Sequence, residues 1–331
     1  MEQAIVIGAG PCGLSAAIEL KRMNIEPLIL EKGSIVHSIY RYPTFLQFHS
    51  TAELLEIGNI PFMTPHDKPT RLEGLTYFRT VAERENLRIH TYETVTSLQK
   101  EGDRFTLHAT DRFGRIKTYT AANVVVATGY FDHPNYLDIP GEDLPKVSHY
   151  YQEAHPYAGM KVAIVGGNNS AVDAAMDLVR VGADVTVIYR QNELSRYVKS
   201  WVRPVFESMI AKEHVRMLFH ANLLEIREQD IRVSVAGKEE WIANDFVLAL
   251  TGFRPDRTLL EAAGVSFHEQ TGGPVYNPET MESGIPNLYI AGVVAAGSRA
   301  NEIFIETGRF HGKLIAQSIA SKADPSLFFP S

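Results

Sequence analysis

The sequence contains almost no cysteine. Cys12 is the single cysteine among 331 residues, so the chain can form no internal disulfide and contains no C-x-x-C redox pair. Such scarcity is typical of a reducing compartment. The sequence also lacks an apolar stretch of the about 18 residues that a membrane span needs. It has no run of basic residues, and its net charge of −7 argues against a nucleic-acid partner.

What the chain does contain is typical of a globular enzyme. It is 45% hydrophobic and 21% charged, and its length suggests two domains. The first predicted strand begins almost at Met1, which leaves no room for a signal peptide, so we expect a cytoplasmic protein with no membrane or nucleic-acid partner. His133, His149 and His155 lie in a proline-rich stretch, and their spacing favours no metal site.

An apolar run at the start of the chain leads into a glycine-rich turn. Residues 4–7 have the length and β-branched content of a buried strand, and a helical pattern follows to about residue 23. The turn between them has the spacing G-x-G-x-x-G, formed by Gly8, Gly10 and Gly13. A second apolar strand, residues 27–30, ends in Glu31. This order of strand, turn, helix, strand and acid predicts a dinucleotide-binding unit.

Each residue of this first fingerprint has a physical task. Gly8 permits the tight turn, Gly10 lets the backbone approach a pyrophosphate, and Gly13 lets the helix pack close to the sheet. The free N–H groups and the positive dipole end of the helix attract phosphates. Glu31 can accept hydrogen bonds from an adenosine ribose. We include its neighbour Lys32 among the predicted cofactor-binding residues.

The next part of the chain is mixed. Residues 32–63 are rich in aromatic residues and histidine, and either wrap a planar cofactor or form a surface excursion with its own small core. Residues 72–85 predict an amphipathic helix. Four strands of a β-meander are then expected at residues 88–92, 95–100, 105–109 and 116–120. Residues 123–127 form an apolar strand of the kind buried on both faces. It ends in Thr128 and Gly129, which we expect to contact the cofactor.

The opening pattern returns in the second half of the chain. Residues 162–165 predict a strand, a helix follows to about residue 181, and residues 184–189 predict another strand. We expect the turn of this second fingerprint to bind a second dinucleotide through Gly166, Gly167, Asn168, Asn169, Ser170 and Ala171. Asn168 stands where the pattern has its middle glycine, which alters how closely the backbone approaches the phosphates.

The second strand of this unit ends in Arg190 rather than in an acid. A guanidinium at that place suits a 2′-phosphate, and therefore NADPH over NADH. Arg196 and Lys199 lie just beyond and can assist. The alternative for Arg190 is a solvated charge at a strand end.

The rest of the chain completes an α/β pattern. Residues 205–212 predict a helix, and further strands are expected at residues 215–219, 223–228, 231–235 and 245–250. The last strand, residues 288–291, leads into Gly292. A helix from about Asn301 to Ser321 ends the predicted fold.

The chain has two fingerprints, each followed by a strand that ends in Thr-Gly, and the late segment I-P-N-L-Y-I-A-G. In these features it resembles the flavoprotein superfamily with two dinucleotide domains. The resemblance covers nearly the whole chain and implies FAD on the first fingerprint and NADPH on the second. It implies an α/β fold of two Rossmann-like domains, with the NADPH domain (134–255) inserted in a split FAD domain (1–133 and 256–331). Gly292 and Ile303 are expected near the flavin, where the N-terminus of the last helix points at the ring. The superfamily also suggests a homo-oligomer.

The layout is similar to the low-molecular-weight thioredoxin reductases, but the missing C-x-x-C pair excludes their chemistry. Val293 also stands where that group has an aspartate. The chain more closely resembles the bacillithiol disulfide reductases in three segments: G-A-G-P-C-G, F-H-S-T-A-E-L-L-E-I-G-N-I-P-F and G-G-N-N-S-A-V-D-A-A. This resemblance implies NADPH-dependent reduction, through FAD, of a low-molecular-weight thiol disulfide, and a bacilliredoxin-type protein as a possible partner.

Three other functions stay open on the sequence. A ferredoxin-NADP reductase of the thioredoxin-reductase-like type also lacks C-x-x-C. A flavin monooxygenase is a second alternative, although its F-x-G-x-x-x-H motif is missing. The third alternative is a redox sensor that holds flavin without turnover, which would not need the predicted NADPH site.

Two roles are open for Cys12, which stands at the start of the first helix. The helix dipole can lower the thiol pKa, and a thiolate would attack a disulfide. We therefore name Cys12 as the candidate catalytic residue. The alternative is that the position takes a small residue and that cysteine packs well there.

Overall fold

The computed structural model describes residues 1–299 and 302–323. Its residues form two compact units. Unit 1 consists of Met1–His133 together with the described residues from Phe253 onward, and unit 2 is Pro134–Gly252. Unit 2 is therefore an insertion in the sequence of unit 1, and each unit contains its own parallel sheet.

The strands of the described residues, in chain order, are β1 (Glu2–Ile7), β2 (Pro27–Glu31), β3 (Arg88–Thr91), β4 (Glu93–Glu101), β5 (Arg104–Asp111), β6 (Ile116–Val126), β7 (Val147–Ser148), β8 (Lys161–Val165), β9 (Asp184–Ile188), β10 (Val215–Leu218), β11 (Ala221–Ile226), β12 (Asp230–Val235), β13 (Lys238–Ala243), β14 (Phe246–Ala249) and β15 (Leu288–Ile290).

The helices of the same residues are α1 (Pro11–Arg22), α2 (His37–Tyr40), α3 (Ala52–Leu55), α4 (Arg71–Arg84), α5 (Asn169–Arg180), α6 (Arg203–Ala211), α7 (Thr258–Ala262), α8 (Ile305–Gly308) and α9 (His311–Ala323). Two 3₁₀ turns, His155–Tyr157 and Gly292–Ala296, lie between them. None of the helices described here is long and apolar enough to cross a membrane.

The sheet of unit 1 is parallel where it holds the first fingerprint. The strands β2 and β6 flank β1, β3 lies beyond β2, and β15 pairs with the C-terminal half of β6. The carboxyl ends of these strands therefore meet at one edge, where ligands bind in open α/β sheets. The core beneath this edge contains fully buried Leu14 and Ile18 of α1, and burying such a side chain stabilises the fold by roughly 1.5–3 kcal/mol.

The helices α1 and α9 pack closely on this sheet. A Cβ atom built on Gly312 of α9 would lie 2.6 Å from the Ala16 Cα atom of α1. Only glycine allows that approach, so the C-terminal helix is tied to the first fingerprint by backbone-to-backbone packing.

The antiparallel part of unit 1 differs from the prediction. The predicted first meander strand, now β3, pairs in parallel with β2 and belongs to the nucleotide-binding sheet. The meander contains only β4, β5 and the first half of β6. Two predicted strands, residues 116–120 and 123–127, are in fact the single strand β6, because its N-terminal half pairs with β5 and its C-terminal half with β1.

Unit 2 repeats the nucleotide-binding architecture. Its parallel sheet has the order β10-β9-β8-β14-β7, and a separate antiparallel sheet contains β11, β12 and β13. The predictions from sequence missed β7 and β13 in unit 2, and α2, α3 and α7 in unit 1. The strand β13 was missed because its charged residues are mostly exposed and it carries no apolar alternation. The fold class predicted from sequence, two Rossmann-like units with one inserted in the other, is confirmed.

The last predicted helix is wrong in its first half. Its predicted first residue, Asn301, lies outside the described residues. Among the residues that follow, the four-residue helix α8 begins only at Ile305, and a turn at Arg309 and Phe310 separates it from α9. The predicted helix is therefore two helices with a break.

Candidate functional site

The first fingerprint forms a turn that leaves no space for side chains at two of its glycines. Gly8 has φ +108°, and a Cβ atom there would lie 2.5 Å from the Ala127 carbonyl oxygen. A Cβ atom on Gly13 would lie 2.0 Å from the Gly8 carbonyl oxygen. These contacts hold the β1–α1 turn against the end of β6. Both glycines are therefore required by the fold itself.

Gly10 is different because the space beside it is open. Apart from its chain neighbours, no atom of the described residues lies within 4 Å of a Cβ atom built there. Gly10 is also the N-cap of α1, and Leu14 N–H donates to its carbonyl oxygen to start the helix. The first N–H groups of a helix have no partner within it. An open cradle beside free helix N–H groups fits the pyrophosphate of a dinucleotide.

Glu31 braces this turn. Its Oε2 accepts a hydrogen bond from Ala9 N–H at 2.7 Å, and its Oε1 accepts one from Gly33 N–H at 2.7 Å. Burial raises the pKa of the Glu31 carboxyl, while the two backbone hydrogen bonds oppose that rise. The sequence predicts a ribose contact for Glu31, but it gives no sign of this second task. The remaining lone pairs of the carboxylate stay suited to hydroxyl donors.

Lys32 has a partner that the sequence does not reveal. Its Nζ lies 2.6 Å from a carboxylate oxygen of Asp132, and the Arg41 guanidinium lies 2.8 Å from the other. The Lys32 ammonium is therefore neutralised by a residue near the end of the first segment of unit 1.

His37 is a further residue that the sequence singled out only as part of an aromatic segment. A Cβ atom on Gly33 would meet the His37 ring at 2.4 Å, so the ring lies directly against the residue that donates to Glu31. The Nδ1 atom of His37 is buried without a hydrogen-bond partner among the described residues. A buried, unpaired ring nitrogen beside the fingerprint is a group that a bound ligand can satisfy.

Cys12 lies between two glycines from the far end of the chain. A Cβ atom would lie 3.0 Å from the Cys12 Sγ atom if built on Gly292, and 2.8 Å from it if built on Gly308. Ile303 closes the group, since its Cγ2 would lie 3.3 Å from the Cβ position of Gly308. Tertiary structure thus brings together three predicted site residues, Cys12, Gly292 and Ile303.

The electrostatic expectation for Cys12 is wrong. Burial raises the pKa of the Cys12 thiol to about 12, whereas the position at a helix N-terminus predicts a lowered pKa. Cys12 is half-buried, and desolvation by the groups packed around its thiol outweighs the helix dipole. Tyr42 belongs to the same cluster: its pKa is raised by burial first, and by nearby Tyr130 and Cys12 in addition.

Thr128 and Gly129 follow β6 at the same edge of the sheet. Gly129 has φ +71°, and no described atom beyond its chain neighbours lies within 4 Å of a Cβ atom built there. The chain therefore turns away from the strand end with open space beside Gly129, as a close approach to a ligand requires.

The second fingerprint in unit 2 is built like the first. Gly166 has φ +147°, and a Cβ atom there would lie 2.6 Å from the Leu250 carbonyl oxygen and 3.3 Å from the Ala171 Cβ. Gly167 lies against the Tyr189 ring, which a Cβ atom would meet at 2.5 Å. Asn168 is the N-cap of α5, but its side chain makes no capping hydrogen bond.

The remaining residues of this turn open the helix α5. Ser170 is exposed. Asn169 is the first residue of α5, and its side-chain amide bonds to the backbone of residues 197 and 199. Arg190, after β9, is exposed, and within the part of the chain that the structure describes its guanidinium has no ion-pair partner. It is a free cation at the carboxyl edge of the sheet.

Metal chemistry has no support in this arrangement. Among residues 1–299 and 302–323, no group of three or more histidine, cysteine or acidic side chains is placed to hold a metal ion.

Comparisons with known proteins agree with this geometry. The family model described as pyridine nucleotide-disulphide oxidoreductase matches residues 5–292. The chain is 49% identical over 323 residues to the bacilliredoxin reductase Bdr of Bacillus subtilis, covering 97% of this chain and 98% of that protein.

Two solved structures are also similar. One is the bacillithiol disulfide reductase Bdr from Bacillus cereus, with a TM-score of 0.96, 48% identity, and coverage of 97% of this chain and 99% of that one. The other is the corresponding protein from Staphylococcus aureus, with a TM-score of 0.93, 44% identity, and coverage of 97% and 98%.

Proposed function

Because the chain belongs to the pyridine nucleotide-disulphide oxidoreductases and, within them, to the family of the Bdr proteins, we propose that it reduces bacillithiol disulfide with electrons from NADPH. It is a flavin-dependent oxidoreductase that uses FAD and NADPH. The 49% identity to Bdr over 97% of the chain is the observation that supports bacillithiol disulfide as the substrate. The two built fingerprints support it, because both nucleotides need a site.

We assign FAD to unit 1 and NADPH to unit 2. In unit 1, the open space beside Gly10 and the N-terminus of α1 hold the pyrophosphate, and Glu31 holds the adenosine ribose. In unit 2, the N-terminus of α5 holds the pyrophosphate, and the free Arg190 cation holds the 2′-phosphate. When bound, FAD takes a hydride from NADPH and passes two electrons on. The net reaction is NADPH plus one proton plus a disulfide, giving NADP⁺ and two thiols.

Cys12 is the proposed residue that contacts the disulfide. Its Sγ, once deprotonated, attacks one sulfur of the substrate, so that a mixed disulfide forms and the substrate S–S bond breaks. The released thiolate takes the proton. Bound FAD would supply the two electrons that, with two protons, convert the mixed disulfide into the Cys12 thiol and the second product thiol. Since burial raises the Cys12 pKa, a bound group must favour the thiolate before this step.

The alternative for Cys12 is a packing role. Its Sγ fills the space between Gly292 and Gly308, and the disulfide would then be reduced without a protein thiol. We test the two roles with Cys12→Ala in the FAD-loaded enzyme. A catalytic Cys12 predicts that NADPH still reduces the flavin, and oxygen still reoxidises it, while disulfide turnover is lost. Disulfide turnover near the wild-type rate would assign Cys12 to packing.

The acceptor is tested by following NADPH consumption with one acceptor at a time. We expect turnover with bacillithiol disulfide that clearly exceeds the rate with oxygen alone. Turnover only with an iron–sulfur protein would indicate a ferredoxin-NADP reductase, and turnover only with oxygen would indicate an oxidase or monooxygenase. Flavin that NADPH does not bleach would indicate a sensor. A mixed disulfide between bacillithiol and a bacilliredoxin-type protein is the further acceptor to supply, since one relative is named for that partner.

We also propose a homo-oligomer in the cytoplasm. The superfamily resemblance supports the oligomer, and the single cysteine supports the reducing compartment. Light scattering of the purified protein at micromolar concentration tests the assembly, and a mass near the 36.9 kDa of one chain would contradict it.

A further inference from the structure

Residues 194–199 of unit 2 form a short loop, which we name the Arg196 loop. It follows β9 and the free Arg190 at the carboxyl edge of the sheet. Two of its residues, Leu194 and Val198, are only 6% and 4% exposed and anchor it in the core. The side chains between these anchors, including Arg196 and Tyr197, point to solvent.

The exposed side chains of this loop form an ordered surface. The Arg196 guanidinium lies over the Tyr197 ring, 5.0 Å from its centroid, and its Nη2 donates to the Tyr197 hydroxyl at 2.9 Å. Tyr197 is nevertheless 51% exposed. A guanidinium suits a phosphate and an aromatic face suits an adenine ring. Their pairing on an exposed loop is therefore a surface for a phosphorylated adenosine.

Charge in this part of the chain favours the same ligand. Residues 190–203 contain the four cations Arg190, Arg196, Lys199 and Arg203, with Glu193 as the single acid. The Lys199 ammonium lies 5.9 Å from the centroid of the exposed Trp201 ring. An excess of positive charge beside exposed aromatic rings attracts an anion that also carries a flat ring.

The loop is held in place by the side chain of Asn169. The Asn169 Nδ2 donates to the Tyr197 carbonyl oxygen at 2.9 Å, and its Oδ1 accepts from Lys199 N–H at 3.0 Å. One amide thus satisfies a backbone acceptor and a backbone donor on either side of Val198. An aspartate could not donate and an alanine could do neither, so this bridge requires a carboxamide.

The other end of the loop has its own clamp. The Arg203 Nη2 donates to the Ser195 carbonyl oxygen at 2.7 Å and to that of Leu194 at 3.3 Å. The loop is therefore fixed on both sides of Arg196 before any ligand binds. A loop that is already ordered loses less conformational entropy on binding, which raises affinity.

We propose that Asn169 is a positioning residue for coenzyme selectivity: it couples the second fingerprint to the Arg196 loop and holds Arg196 and Tyr197 for the adenosine 2′-phosphate of NADPH. The proposal rests on the proposed function, because it needs NADPH on unit 2. Asn169 is the first residue of α5, so the residue beside the pyrophosphate turn also sets the place of the 2′-phosphate surface. In this role Asn169 acts through the loop and not on the reacting atoms.

The test is Asn169→Ala in the full-length FAD-loaded enzyme. Loss of two hydrogen bonds that order the loop should raise the KM for NADPH by about tenfold and the KM for NADH clearly less, because NADH has no 2′-phosphate. Isothermal calorimetry with 2′,5′-ADP, which needs no turnover, should show the same loss, while 5′-AMP, which lacks the 2′-phosphate, should lose clearly less affinity. Equal losses for NADPH and NADH would mean that Asn169 contacts the shared part of the coenzymes, and would overturn the proposal.

Four further variants make the result specific. Asn192→Ala is the matched control, because Asn192 is exposed in the same stretch, and no side-chain hydrogen bond joins it to the described residues; both KM values should stay unchanged. Arg203→Met removes the second clamp and should reproduce the NADPH-selective loss. Arg196→Ala combined with Asn169→Ala should lose no more selectivity than Arg196→Ala alone, because both act through the same side chain. Additive losses would overturn a positioning role.

Measurements on the wild type distinguish a failure of the Asn169 proposal from a failure of the NADPH assignment. If the wild type binds 2′,5′-ADP no better than 5′-AMP and uses NADH as well as NADPH, the NADPH assignment fails and this inference fails with it. If the wild type prefers NADPH but Asn169→Ala keeps that preference, only the role of Asn169 is overturned.

Discussion

The Sγ atom of Cys12 lies 2.8 Å from the position that a Cβ atom would take on Gly308. The thiol at the start of α1 therefore packs on the bare backbone of α8, a helix near the other end of the chain. Cys12 is half-buried there, and desolvation raises the pKa of its thiol to about 12. The candidate nucleophile and the late segment of unit 1 are thus parts of one small packed group.

Gly308→Ala should destabilise unit 1 by roughly 1–3 kcal/mol, because its methyl group would overlap the Cys12 sulfur in a packed site. Thermal unfolding of the purified protein measures the change. Gly284→Ala is the matched control, since a Cβ atom there meets nothing within 4 Å. Cys12→Ala removes the sulfur, so the double variant should be more stable than the sum of the two single effects predicts. Strict additivity would show that the two residues do not meet.

The Cys12 thiol should react slowly with alkylating reagents in the folded protein without substrate. A thiol with a pKa near 12 is about a thousandfold less ionised at pH 8 than an unfolded one with a pKa of about 8.5. Iodoacetamide labelling at pH 8 should therefore be at least a hundredfold slower in the native state than in urea. Comparable rates in the two states would show that the thiol is activated despite its burial.

Gly10→Val should abolish FAD retention without unfolding unit 1. The added side chain enters the open space that we assign to the pyrophosphate, while the apoprotein loses no contact there. The ratio of flavin to protein absorbance measures retention, and circular dichroism of the apoprotein measures the fold. Gly284→Ala, at an open glycine of the same unit, should keep its flavin. A Gly10→Val protein that stays yellow would move the pyrophosphate elsewhere.

Arg190→Ala should raise the KM for NADPH about ten- to a hundredfold and the KM for NADH little. A charge-assisted phosphate contact contributes roughly 1.5–3 kcal/mol, and Arg190 has no competing ion pair among the described residues. Steady-state kinetics with both coenzymes measures the difference. Equal effects on both would show that Arg190 does not contact the 2′-phosphate and would leave that contact to Arg196 and Lys199.

Asp173→Asn should stabilise the protein at neutral pH. Burial raises the Asp173 pKa to about 6 from its ordinary value of 3.8, so the folded state binds more protons than the unfolded state between those two values. The stability contributed by this group is therefore present below about pH 4 and is lost as pH rises through 6. We expect Asp173→Asn to gain about 1–3 kcal/mol over the wild type at pH 7.5 and nothing near pH 4. Denaturant unfolding at several pH values measures this, and a pH-independent gain would rule out the titration as its cause.

The sequence by itself determined the parts that depend on neighbouring residues. Glycine allows the positive φ values that the turns at Gly8 and Gly166 require. The strand β9 brings Arg190, which follows it, to the carboxyl edge of the sheet, because parallel strands end together. The same local patterns gave the fold class, the family and both cofactors.

Tertiary structure alone decided what depends on distant residues. The brace from Glu31 to Ala9 and the bridge from Asn169 to the Arg196 loop join backbone groups that no local pattern relates. The strand β6 is continuous because β5 pairs with its N-terminal half and β1 with its C-terminal half. The alternation of apolar and polar residues in the sequence cannot show these partners. The pKa of Cys12 was predicted in the wrong direction for the same reason. A helix dipole can be seen in sequence, whereas desolvation depends on which distant residues, here Gly292 and Gly308, close over the thiol.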